Sequence, residues 1–162
     1  MPFHRTAQRL WKSLTPEERL AAATHFWREP PAEVAGTAVG VLVKARHLRP
    51  QAARALAPEA QGRILATVLE PGEPLAAALV VALHLGERRP ILGAFLDALG
   101  LPHDDGLLRD ETEPPPLDGE AARRAVGALA GFPPAQVRTY LNALWLQDPD
   151  RWGVLEQVAD PS

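Results

Sequence analysis

What most limits the fold is a pattern that is missing: no segment of the 162 residues sets several β-branched residues in alternation between turn signals. Stretches rich in Ala, Leu and Arg recur instead between prolines and glycines, and these residues favour helix over strand. The chain is therefore expected to be all-α. We expect one domain over 1–162, built as a compact bundle of about eight to ten short helices.

The clearest helix start is Thr15-Pro16-Glu17-Glu18, a hydroxyl cap, a proline at the first helical position and two acids against the positive helix end. That helix should run to Arg28 and stop before Pro30-Pro31. Others are predicted over 3–13, 32–48, 50–56, 58–69, 75–85, 90–100, 120–130, 134–147 and 151–159. Gly36 and Gly40, four apart on one face, would let a neighbouring helix approach closely. The most apolar run, Leu75 to Leu85 (LAAALVVALHL), has eleven residues where a bilayer-spanning helix needs about 20. It reads as a buried helix, not a membrane span, with His84 as a core histidine holding one hydrogen-bond partner.

The second half reads as a helical hairpin present twice. A shift of 45 residues lays FLDALGL, from Phe95, on YLNALWL, from Tyr140. Upstream, Val81, Gly86 and Leu92 meet Val126, Gly131 and Val137. The first copy is placed at 75–108 and the second at 120–156, after basic N-terminal helices over 1–70 and with an acidic, proline-rich linker at 109–119. Gly86 and Gly131 stand where a helix end needs a left-handed residue. Phe95, Leu96 and Leu99, like Tyr140, Leu141 and Leu144, share one helix face, and the two hairpins can bury those faces against each other. A period near 45 residues is that of helical-hairpin arrays, although two units are too few to assign one.

Charge is unevenly spread. Residues 1–55 carry nine Lys or Arg against four Asp or Glu, and residues 104–162 carry five against eleven. Such asymmetry speaks of partners or self-association, not of fold. The chain has no cysteine, which excludes disulfides, thiolate metal sites and thiol nucleophiles. The opening MPFHRTAQRLWKSL is charged throughout, so no secretory leader is expected and a cytoplasmic protein is. The five histidines are scattered singly, and neither a GxSxG elbow nor a GxGxxG or P-loop pattern occurs. No cofactor and no catalytic residue is predicted.

Three candidate surfaces follow. Large aromatics gather at the two ends of the chain, and Tyr140, Trp145 and Trp152 are the residues expected to bind a partner protein or a second copy. Trp145 stands out because Gly100 takes its place in the first copy. The second candidate is nucleic-acid binding. Residues 125–144 have helix-turn-helix character, with Arg138, Thr139 and Asn142 available to bases if exposed together, and Lys44, Arg46, His47, Arg49 and Arg54 form the strongest basic cluster, of which Lys44, Arg46 and Arg49 are the candidate contacts. The acidity of the last third, which repels phosphate, counts against this alternative. The third is the acidic loop 103–113, whose His103, Asp104, Asp105, Asp110, Glu111 and Glu113 depart from the EF-hand pattern. There we expect Asp104 or Asp105 to cap the short segment that follows. The function that fits best is a non-enzymatic, helical protein-interaction domain, adaptor or regulatory.

Overall fold

The computed structural model describes residues 2–109, 113 and 116–159. Among them the chain forms eleven helices and one two-stranded antiparallel ribbon, so the all-α expectation holds. The helices are Ala7–Ser13 (α1), Pro16–Arg28 (α2), Ala32–Arg46 (α3), Pro50–Ala55 (α4), Pro58–Ala66 (α5), Glu73–Glu87 (α6), Arg89–Ala98 (α7), Gly119–Gly127 (α8), Pro134–Gln147 (α9), Pro149–Trp152 (α10) and Leu155–Ala159 (α11). The expected helix at 151–159 is two, parted around Gly153, where an added Cβ would lie 2.7 Å from the Pro149 carbonyl oxygen. No helix of the described residues is long and apolar enough to cross a membrane.

The chain divides into two compact units, 6–87 and 88–162 together with 1–5. The division falls inside the segment 75–108, so α6 and α7, the helices of the expected first copy, belong to different units.

In the first unit α2 is the hub. Thr15 Oγ1 accepts from the Glu18 N–H at 3.1 Å while Glu18 Oε1 accepts from the Thr15 N–H at 3.0 Å, a reciprocal cap that fixes the start of α2. The helix then buries Ala22, Ala23, Phe26 and Trp27 and packs chiefly on α5 and α6. The close approaches occur at glycines, but not at those expected. A Cβ on Gly86 of α6 would sit 2.7 Å from His25 Cγ, and one on Gly62 of α5 would sit 3.1 Å from Thr24 Cα. Gly36 and Gly40 are exposed and face open space. Gly86 is thus helical rather than a left-handed terminus, and Gly131 also lacks a positive φ. His84 is buried, with Nδ1 2.8 Å from the Val80 carbonyl oxygen.

In the second unit α7 packs on α8 and α9, and α11 packs on both α8 and α9. Residues that the 45-residue shift equates do meet: Phe95 and Tyr140 stand edge to face, centroids 5.5 Å apart. Both helices also begin 45 residues apart, at Arg89 and Pro134. They end differently. α7 closes on Gly100, whose φ of +70° lets the Leu101 N–H reach the Leu96 carbonyl at 3.0 Å, whereas α9 continues to Gln147.

The segments downstream of α7 and α9 differ too. After α7 come strands His103–Asp104 (β1) and Leu107–Leu108 (β2), paired His103 to Leu108 and Asp104 to Leu107. Asp105 and Gly106 both take positive φ, +50° and +91°, as a two-residue hairpin turn of the twisted-strand type requires. The expected helix cap at Asp104 or Asp105 is therefore a hairpin instead. A Cβ at Gly106 would lie 2.7 Å from Leu92 Cβ, so Gly106→Ala combines backbone strain with a clash. It is expected to cost about 2–3 kcal/mol, seen as a lowered thermal midpoint.

Candidate functional site

The aromatic residues expected at a partner surface take different places. Tyr140 and Trp152, each 5% exposed, enclose the fully buried Phe95, which lies 5.9 Å from Trp152. Burial pushes the Tyr140 phenol well above its ordinary pKa. Neither side chain offers a surface to a partner, because both are buried. Trp145 is half-buried, against Phe3 and beneath the Arg5 guanidinium at 4.9 Å.

The helix-turn-helix set is engaged in contacts within the chain. Asn142 is 2% exposed, and its side-chain amide is bonded to the backbone of His4. Arg138 lies over the Phe3 ring at 5.3 Å, and the Thr139 hydroxyl donates to the Ala135 carbonyl at 2.9 Å. Arg138, Thr139 and Asn142 therefore do not form one exposed face, since Phe3 and His4 lie against Arg138 and Asn142. Lys44, Arg46 and Arg49, by contrast, are all exposed.

In the acidic loop, His103 Nε2 lies 2.7 Å from Asp97 Oδ1 and Nδ1 accepts from the Gly106 N–H at 3.0 Å. The ring pins the hairpin to the end of α7. Arg89 and Arg109 approach Asp105 and Asp104 at 3.8 and 3.4 Å. No three metal-ligating side chains converge among the described residues, and Asp110 and Glu111 lie outside them.

A concavity of the first unit is a groove of about 640 Å³ between α2, the end of α3 and α5. Its walls are helical stripes. Pro16, Arg19 and Leu20 follow the i, i+3, i+4 spacing on α2, and Ala60, Arg63, Ile64 and Thr67 continue it to i+7 on and just beyond α5. Leu56 adds apolar surface and Arg46 a cation. Leu20 is 41% exposed, although leucine on a core-packed helix is ordinarily covered.

The three arginines differ in use. Arg19 donates to the Leu14 carbonyl and, at 3.3 Å, to the Ala66 carbonyl near the end of α5, so it braces the groove. Arg46 and Arg63 are exposed, and among the described residues neither has a carboxylate partner. Between Glu33 and Glu70 the sequence carries five cations and a single acid, Glu59, so the region is locally positive. The groove thus sets an apolar floor beside two guanidinium groups that have no carboxylate partner among the described residues.

Lys44, Arg46 and Arg49 were legible as a basic cluster. Arg19, Arg63 and Leu20 carry a weaker signal: the mixed stripes at 16–20 and 60–67 each set an arginine beside an apolar residue on one helix face. Comparison of the chain with protein-family models, with curated proteins and with solved structures finds no match.

Proposed function

We propose that the protein is a non-enzymatic, helical protein-interaction domain, of adaptor or regulatory type, that receives an acidic amphipathic helix of a partner in the groove of α2, α3 and α5. The observation that carries this is the exposed Leu20 on an apolar wall, with Arg46 and Arg63 at its rim and without a carboxylate partner among the described residues. A helix laid in such a groove buries its apolar face and meets the cations with flanking acids. Charge complementarity of this kind steers the encounter and fixes register more than it adds affinity. We take the setting to be the cytoplasm.

Nucleic acid is the second reading, favoured by the exposure of Lys44, Arg46 and Arg49 together. The two differ in what they ask of Leu20, which a phosphate backbone does not need. The test is a fluorescence titration with a designed Leu/Glu amphipathic helical peptide and, separately, with a single- or double-stranded oligonucleotide, at low and moderate salt. The peptide is expected to bind, and the double change Arg46→Glu/Arg63→Glu to weaken it about tenfold or more. Leu20→Asp should do the same. Oligonucleotide binding that falls steeply with salt and ignores Leu20→Asp, with no peptide binding, would replace this function with the second reading.

A further inference from the structure

His4 is held through its main chain. Asn142 Oδ1 accepts from the His4 N–H at 2.7 Å and Asn142 Nδ2 donates to the His4 carbonyl at 3.0 Å, the pair of bonds a neighbouring strand would supply. Such a clamp is indifferent to the side chain it holds. The flanking contacts are selective. Phe3, 3% exposed, lies between the Trp145 ring, 6.5 Å away at 68°, and the Arg138 guanidinium. Glu156 Oε1 accepts from the Phe3 N–H and its Oε2 from Arg5 Nη1, both at 3.0 Å. Arg5 also covers Trp145.

These groups are organised as a receptor. Arg138, Asn142 and Trp145 stand at i, i+4 and i+7, one face of α9, and Glu156 comes from α11. The backbone hydrogen bond from Phe3, then the bond and charge of Arg5, keep the Glu156 carboxyl below its usual range. The carboxylate therefore persists at any neutral or mildly acidic pH, and its contribution is lost only as pH falls through that lowered value.

We propose that this face of α9, with Glu156, is a binding site for extended peptides that carry phenylalanine followed two residues later by arginine, and that residues 3–5 are its occupant in cis. Asn142 reads the backbone of the central residue, the Trp145–Arg138 gap takes the aromatic ring, and Glu156 takes the guanidinium. A partner segment of that chemistry displaces residues 3–5, so the site is autoinhibited. It shares no residue with the groove of α2 and α5 and stands independently of it.

The test uses the full chain and a labelled, end-blocked peptide of sequence Pro-Phe-His-Arg-Thr-Ala, followed by fluorescence anisotropy. Phe3→Ala weakens the internal competitor, so the peptide is expected to bind this variant about tenfold or more tightly than the unaltered chain. Replacing the peptide's arginine by alanine should cost about tenfold, and Glu156→Gln should erase that preference. A folded Phe3→Ala protein that binds the peptide no better than the unaltered chain, or binds it without regard to its phenylalanine, overturns the proposal. If circular dichroism shows Phe3→Ala to be unfolded, Arg5→Ala, which alters an exposed side chain, takes its place with the same two criteria.

Discussion

Replacing Phe95 by alanine is expected to cost the second unit about 3–5 kcal/mol, the range for deleting a fully buried aromatic side chain whose surroundings relax only in part. Relaxation is restricted here on two sides. Tyr140 meets the ring edge to face at 5.5 Å and Trp152 lies tilted at 5.9 Å, so two large rings would have to move to fill the void. Each such aromatic pair contributes about 0.5–1.5 kcal/mol beyond the area it buries. Against a usual total of about 5–15 kcal/mol the loss is large enough to populate unfolded chains at ambient temperature. Urea unfolding followed by tryptophan fluorescence measures it, since Trp152 reports on this cluster directly. A loss below about 1 kcal/mol would mean that Phe95 does not organise the unit.

The same cluster shows what could be read beforehand. Phe95 and Leu96, and Tyr140 and Leu141, were legible as one face of two helices because helical periodicity is a local property, and all four are buried. The cap of α2 was legible for the same reason: Thr15, Pro16 and Glu18 satisfy one another within one turn. Helix α1, however, begins at Ala7 and not Phe3. Thr6 caps it, accepting from the Arg9 N–H at 3.2 Å, so residues 2–5 stand outside the helix. Nothing local announces where that segment goes, since its partners Asn142 and Glu156 lie 138 and 153 residues further on.

The hairpin at 103–108 is a different kind of miss. Asp105-Gly106 is the dipeptide that a two-residue turn with two positive φ angles demands, so the signal was present and the all-helical expectation overrode it. The glycines reverse the usual lesson. Gly86 was expected to end a helix in the left-handed region; it lies inside α6 instead, and its need is the His25 ring 2.7 Å from where a Cβ would stand. Distance between helices is a tertiary quantity, and one sequence does not encode it in any short window. The groove falls between these cases, with its stripes local and its assembly from α2, α3 and α5 not.

Trp11→Ala is the counterpart of the Phe95 change in the first unit, and its expected cost is again about 3–5 kcal/mol. Trp11 is fully buried and, with Ala7 and Leu10, makes up the apolar face by which the seven-residue α1 packs on α6. A helix that short has little stability of its own, so what holds α1 is this face. The indole N–H also donates to the Val68 carbonyl at 2.9 Å, and removing it leaves that acceptor without its partner, a further cost of about 1 kcal/mol. Trp11→Phe separates the two contributions, because it keeps most of the buried ring and loses the donor. It should cost well under half as much as Trp11→Ala in urea unfolding. Native-state hydrogen exchange should locate the damage, with protection lost first in α1. If the two variants were equally destabilised, the hydrogen bond to Val68 rather than packing would be what anchors α1.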